Sequence, residues 1–152
     1  MGRHGLHDEG DIEDVLEYGR WRGAVASAIR GKHGQAFLRE LLAALDAIEA
    51  QRLIGEDLEN EHGEVCALGA VGRARGLDLQ SVDYEDYEAV AQFFGINEKL
   101  AREIMWVNDE WTRRNNVPAM MERYESVRRW VLENIRSRGH LVPVGKNEGQ
   151  AK

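Results

Sequence analysis

The sequence predicts an all-α fold, a compact bundle of five or six helices, with room for one short β segment near residues 64–66. Three observations carry this. Apolar residues recur at spacings of three and four, most clearly at Phe37, Leu38, Leu41, Leu42, Leu45 and Ile48. No long alternating pattern and no repeat of fixed period is present. The 152 residues hold only 2 prolines against 16 glycines, so glycine is the main punctuation between elements.

Taken in order, residues 1–10 are polar and read as a mobile tail, residues 11–137 as a single helical domain, and residues 138–152 as a flexible tail. Asp11-Ile12-Glu13-Asp14 opens the first helix with carboxylates at the positive end of the dipole. Its apolar face is Ile12, Val15, Leu16, Trp21, Val25, Ala28 and Ile29. Gly31 and Gly34 bracket Lys32-His33 as a stop and a turn. A strongly amphipathic helix runs from about Gln35 to Arg52, and Gly55 closes it. An acidic connector follows, and then Val65–Arg75, a run of small residues with glycines at 69, 72 and 76. Gly69 and Gly72 let other backbones come close, and Gly76 terminates the helix. Tyr84–Phe94 forms the next helix. Gly95-Ile96 turns, Asn97 caps Glu98–Glu110, and Pro118 suits the first turn of a last helix with the stripe Met121, Tyr124, Val127, Trp130, Val131 and Ile135.

Charge and composition narrow the function classes. A formal net charge of −7 opposes general coating of nucleic acid or attraction to an anionic membrane. No apolar run approaches the ~18–20 residues that span a bilayer, and the amino terminus lacks the apolar core of a signal peptide. One cysteine, Cys66, makes no internal disulfide and fits a reducing cytoplasm.

The motifs that carry chemistry mostly fail. The glycines at 69, 72 and 76 lack the lysine and hydroxyl of a phosphate loop and have the wrong offsets for a dinucleotide fingerprint. Cys66 has His62 four residues before it as a candidate base for a thiol enzyme, but the surrounding carboxylates disfavour a thiolate. The five histidines show no metal-ligand spacing. Gly2-Arg3-His4, once Met1 is removed, offers an amine, two amides and an imidazole of the kind that binds Cu(II) or Ni(II). Such a tripeptide arises readily by chance, and no metal, cofactor or catalytic residue is assigned. Glu56, Asp57, Glu59, Glu61 and Glu64 lack the spacing of a calcium loop.

Two binding patterns remain. Val90–Ile104 has the small alanine, turn glycine and apolar spacing of a helix-turn-helix, with Asn97, Lys99 and Arg102 as the residues that would reach DNA. Glu98 and Glu103 and the acidic stretch before it oppose phosphate. The other pattern is a basic group around a tryptophan, Arg20, Trp21, Arg22, Arg30 and Lys32, the composition of a protein-contact patch. Arg113, Arg114, Arg123, Arg128 and Arg129 form a second basic set, read as a solvated helix face.

At Arg20–Val25, Arg30–Leu38 and Gly63–Ala70 the chain resembles an uncharacterised family of small proteins found among bacteriophages and prophages; the resemblance spans residues 15–135. It implies a phage-borne accessory protein, expressed in a bacterial cytoplasm, that binds host proteins such as defence components. It supplies no activity and no residue roles. The expected function is therefore non-enzymatic binding of a host or phage macromolecule, a protein first. DNA binding through 90–104 is the alternative, and a Cys66 thiol enzyme a weaker one.

Overall fold

The computed structural model describes residues 3–111, 114 and 116–136, with side chains from Ile12 onward. Among these, six helices form an all-α bundle: α1 (Arg3–Arg30), α2 (Lys32–Asp46), α3 (Ala67–Arg75), α4 (Tyr87–Phe94), α5 (Glu98–Asp109) and α6 (Val117–Asn134). A single 3-10 turn lies at Leu79–Ser81. The helix α5 is the hub, packed by α1, α3, α4 and α6, while α2 packs on α1, α3 and α6. That centrality follows from its sequence. Leu100, Ala101, Ile104, Met105 and Val107 are buried, leaving a narrow exposed line at Glu98, Arg102 and Trp106.

The small-residue helix α3 lies in the interior, with Ala67 to Gly72 all buried. A Cβ on Gly69 would run into the Leu58 carbonyl, and one on Gly72 into the Leu79 side chain and, at 3.4 Å, the Phe94 ring. Close approach is therefore what these two glycines provide. Gly76 and Gly95 have φ of 74° and 71°, the left-handed region that ends α3 and α4. Asn97 caps α5 and Asn116 caps α6, each accepting a backbone N–H from the first turn.

Several elements differ from the sequence reading. The helix α1 begins at Arg3, before Asp11, and runs to Arg30. Gly2 and the side chains of Arg3 and His4, which complete the candidate donor set, and the 138–152 tail lie outside the described residues. Of the face expected on α1, only Val25 and Ile29 are buried; Ile12, Val15 and Leu16 are exposed. Gly31 is the N-cap of α2, so Gly34 lies inside a helix, against the Ala28 carbonyl. The helix α2 stops at Asp46, not Arg52, because residues beyond it find better partners elsewhere: the Leu53 N–H bonds the Met120 carbonyl and the Ile54 N–H the Val65 carbonyl. Residues 64–66 do not form a strand; Val65 makes one isolated antiparallel bridge with Glu59. On α6 the buried methionine is Met120, with Met121 outside.

Three polar side chains organise the interior. Arg123 is fully buried and donates to the carbonyls of Leu53 (2.8 Å), Asn108 (2.8 Å) and Trp111 (2.6 Å). Its reading as a solvated arginine is thus corrected: three loop and helix-end carbonyls converge there and need donors. Asn108 accepts the Ala67 N–H at 3.0 Å and donates to the Ile54 carbonyl at 2.9 Å. Gln35 donates to Ile29 and Asn134 and accepts from the Arg136 N–H, tying the ends of α1 and α6 together.

Candidate functional site

The helices α1 and α5 cross where the two sets of sequence candidates meet. Trp21 on α1 is half-buried, and two cations from α5 lie over its ring: the Arg102 guanidinium at 4.8 Å from the centroid and the Lys99 ammonium at 5.5 Å. Arg102 also lies 5.0 Å from the Tyr87 ring and 3.9 Å from Glu98. Beside this stack, Arg22 grips Glu103 with two hydrogen bonds of 2.8 and 3.2 Å. Glu103 is buried, so Arg22 supplies the charge that an interior carboxylate requires. One turn beyond Arg102 on α5, Trp106 is 65% exposed. Tyr18, Trp21, Arg22, Arg102, Glu103 and Trp106 line a cleft of about 330 Å³.

Cation–π contacts are worth ~0.5–1 kcal/mol each at exposed sites, enough to hold Arg102 and Lys99 in place with donors still free for a carboxylate. A large exposed tryptophan beside pre-positioned arginines is the composition of an interface hot spot.

Not every candidate belongs to this corner. Arg20 is exposed and forms no ion pair among the described residues. Arg30 lines a separate cleft with Glu133–Arg136 at the end of α6. Lys32 lines a third, of about 480 Å³, together with Asn97. The Asn97 side chain accepts the Lys99 N–H at 2.8 Å as the cap of α5. In the second basic set, Arg114 stacks 4.3 Å over Trp111, and Arg128 pairs with Asp46 at 2.8 Å.

The α4–α5 corner has the expected turn, with the Ile96 N–H bonding the Ala91 carbonyl. A recognition helix must present a whole face to the groove. Here α1 packs on α5, Glu103 is taken by Arg22, and Arg102 by two aromatic rings. Cys66 caps α3, its sulfur accepting the Gly69 N–H at 3.3 Å. Burial pushes the thiol up to about 12, the reverse of nucleophile activation. The exposed His62 ring pairs with Glu61 at 3.5 Å. Glu59 pairs with Arg73 and Glu64 with Arg52, and among the described residues no three potential metal ligands come together.

Tyr18 and Tyr87 are not singled out by the sequence, and Trp106 enters there only as a tryptophan whose exposure marks a docking patch. A signal for Trp106 existed: it follows Glu98 and Arg102 at intervals of four, off the apolar face of α5. No helix among the described residues is long and apolar enough to cross a membrane. Comparison with family models, curated proteins and solved structures finds no match.

Proposed function

We propose that the protein is a non-enzymatic binding module, a phage or prophage accessory protein that acts in the bacterial cytoplasm by engaging a host or phage protein. Host-defence components are one class of such partner. The observation that supports this best is the α1–α5 corner, where exposed Trp106 adjoins the Arg102–Trp21–Lys99 stack. Its complement is a protein segment that carries carboxylates beside an apolar side chain. DNA binding is less well supported, because α5 gives most of its surface to its neighbours and its exposed line includes Glu98. A Cys66 enzyme is opposed by burial of the thiol.

The test is affinity capture from infected or lysogenic cells, comparing the natural chain with Trp106→Ala and Arg102→Glu. Partners recovered by the natural chain should be lost from both variants while melting temperatures stay close to the parent. Equal recovery by all three would rule this face out. A gel shift at low salt should show no DNA binding; a shift abolished by Lys99→Ala and Arg102→Ala would favour the regulator instead.

A further inference from the structure

From Ile12 to Arg20 every side chain of α1 is exposed, so more than two turns of this helix stand clear of the body. Ile12, Val15 and Leu16 are 58%, 68% and 52% exposed. At 100° per residue, Ile12, Val15, Leu16, Gly19, Gly23 and Ala26 share an arc of about 100°. Of the residues that touch the body, Trp21 and Val25 lie about 170° and 130° from the middle of that arc and Ile29 about 90° from it. Nothing lies within 4 Å of a Cβ placed on Gly19 or Gly23, so no packing inside the chain explains either glycine. Glycine is a poor helix former, and a short unsupported helix is marginal in water. An apolar stripe on such a helix calls for a cover.

We propose that the cover is a second copy of the same chain, its α1 antiparallel to the first about a two-fold axis passing between residues 17 and 18. Charge complementarity selects this occupant and this direction. The exposed half of α1 is acidic first, at Glu13, Asp14 and Glu17, and basic afterwards, at Arg20 and Arg22. Glu13 and Arg20 flank the stripe on the same side, seven residues apart. The antiparallel register sets Leu16 on Gly19 of the second copy and Ile12 on its Gly23, each large side chain over a position with no side chain. The same register sets Glu13 across from Arg20 twice, once on each side of the axis. A parallel pair would oppose Glu13 to Glu13 and Arg20 to Arg20. Neither Glu13 nor Arg20 has an ion-pair partner among the described residues. Four turns of helix make a small interface, so the expected affinity is in the region of micromolar, not nanomolar. Tyr18 and Trp21 lie outside the stripe, while Arg22, which also lines the cleft, lies at its edge beside Val15.

Sedimentation velocity of the full chain, from low concentration up to about 1 mM, reads this directly. The natural chain should show a reversible monomer–dimer equilibrium. Glu13→Arg alone and Arg20→Glu alone each replace two attractions with two repulsions, and each should weaken the dimer by about tenfold or more. Mixed together, the two variants should form a heterodimer, because every reversed charge then meets its opposite. Both substitutions sit on exposed helix surface, so unchanged melting at low concentration confirms that they fold. A natural chain that stays monomeric throughout, a dimer indifferent to both reversals, or a mixture that fails to pair would each overturn the proposal.

Discussion

Replacing Arg123 with methionine keeps most of the buried volume and removes every donor. The carbonyls of Leu53 and Asn108 then lose a buried donor, and the Trp111 carbonyl keeps only the Arg114 N–H at 3.0 Å. Hydrogen bonds from a charged donor contribute ~1.5–3 kcal/mol each, so the three together set a gross loss of roughly 5–9 kcal/mol. Against this, the natural fold must desolvate a guanidinium, which lowers the Arg123 pKa, and methionine escapes that cost. The balance is a net loss of about 3–5 kcal/mol, in line with removing one partner of a buried charged network. Stability of a domain is ~5–15 kcal/mol, so the variant should still fold, with a melting temperature lower by about 10–15 °C. Urea unfolding followed by circular dichroism and tryptophan fluorescence measures it. Arg123→Lys should fall between, because one ammonium cannot span three separate acceptors. An Arg123→Met chain within ~1 kcal/mol of the natural one would refute the claim that these contacts hold the fold.

Gly72→Leu should cost ~1–3 kcal/mol by driving a side chain into Leu79 and Phe94; an unchanged denaturation midpoint would mean that α3 is not tightly enclosed. Cys66, with its thiol raised to about 12, should react with an aromatic disulfide reagent at neutral pH only as fast as the fold opens. Native-state labelling as quick as that of the urea-unfolded chain would contradict its burial.

Local rules carried much of the architecture. The amphipathic run Phe37–Leu45, the helix-ending Gly76, the turn at Gly95 and the asparagine cap at 97 all depend on residues within a turn of one another, so sequence alone reads them, whereas Asn116, read as loop, is the cap of α6. What sequence hides is exchange of partners over distance. The helix α2 ends at Asp46 although apolar spacing continues to Ile48, because Leu53 and Ile54 bond to Met120 and Val65. Arg123 is solvated or buried depending on carbonyls that lie 12 to 70 residues away. The candidate site shows the same divide. Trp21 with Arg22, and Lys99 with Arg102, are each conspicuous locally. Their union into one corner depends on a pairing across 81 residues, between Arg22 and Glu103, which no local pattern encodes. The stripe on α1 misled for a related reason: helical periodicity shows that a face is apolar, not what covers it.

The loop between α2 and α3 has a kinetic consequence. Leu53, Ile54 and Ala67 are tied to Met120, Asn108 and Arg123 across 41 to 70 residues of chain. Closing loops of that length costs entropy that only docked α5 and α6 can offset. The connector is therefore expected to set late, after the helices that receive it. Damage to its anchors should then appear mainly as faster unfolding, which would make Arg123 less a nucleus than a latch that governs how long the folded chain persists.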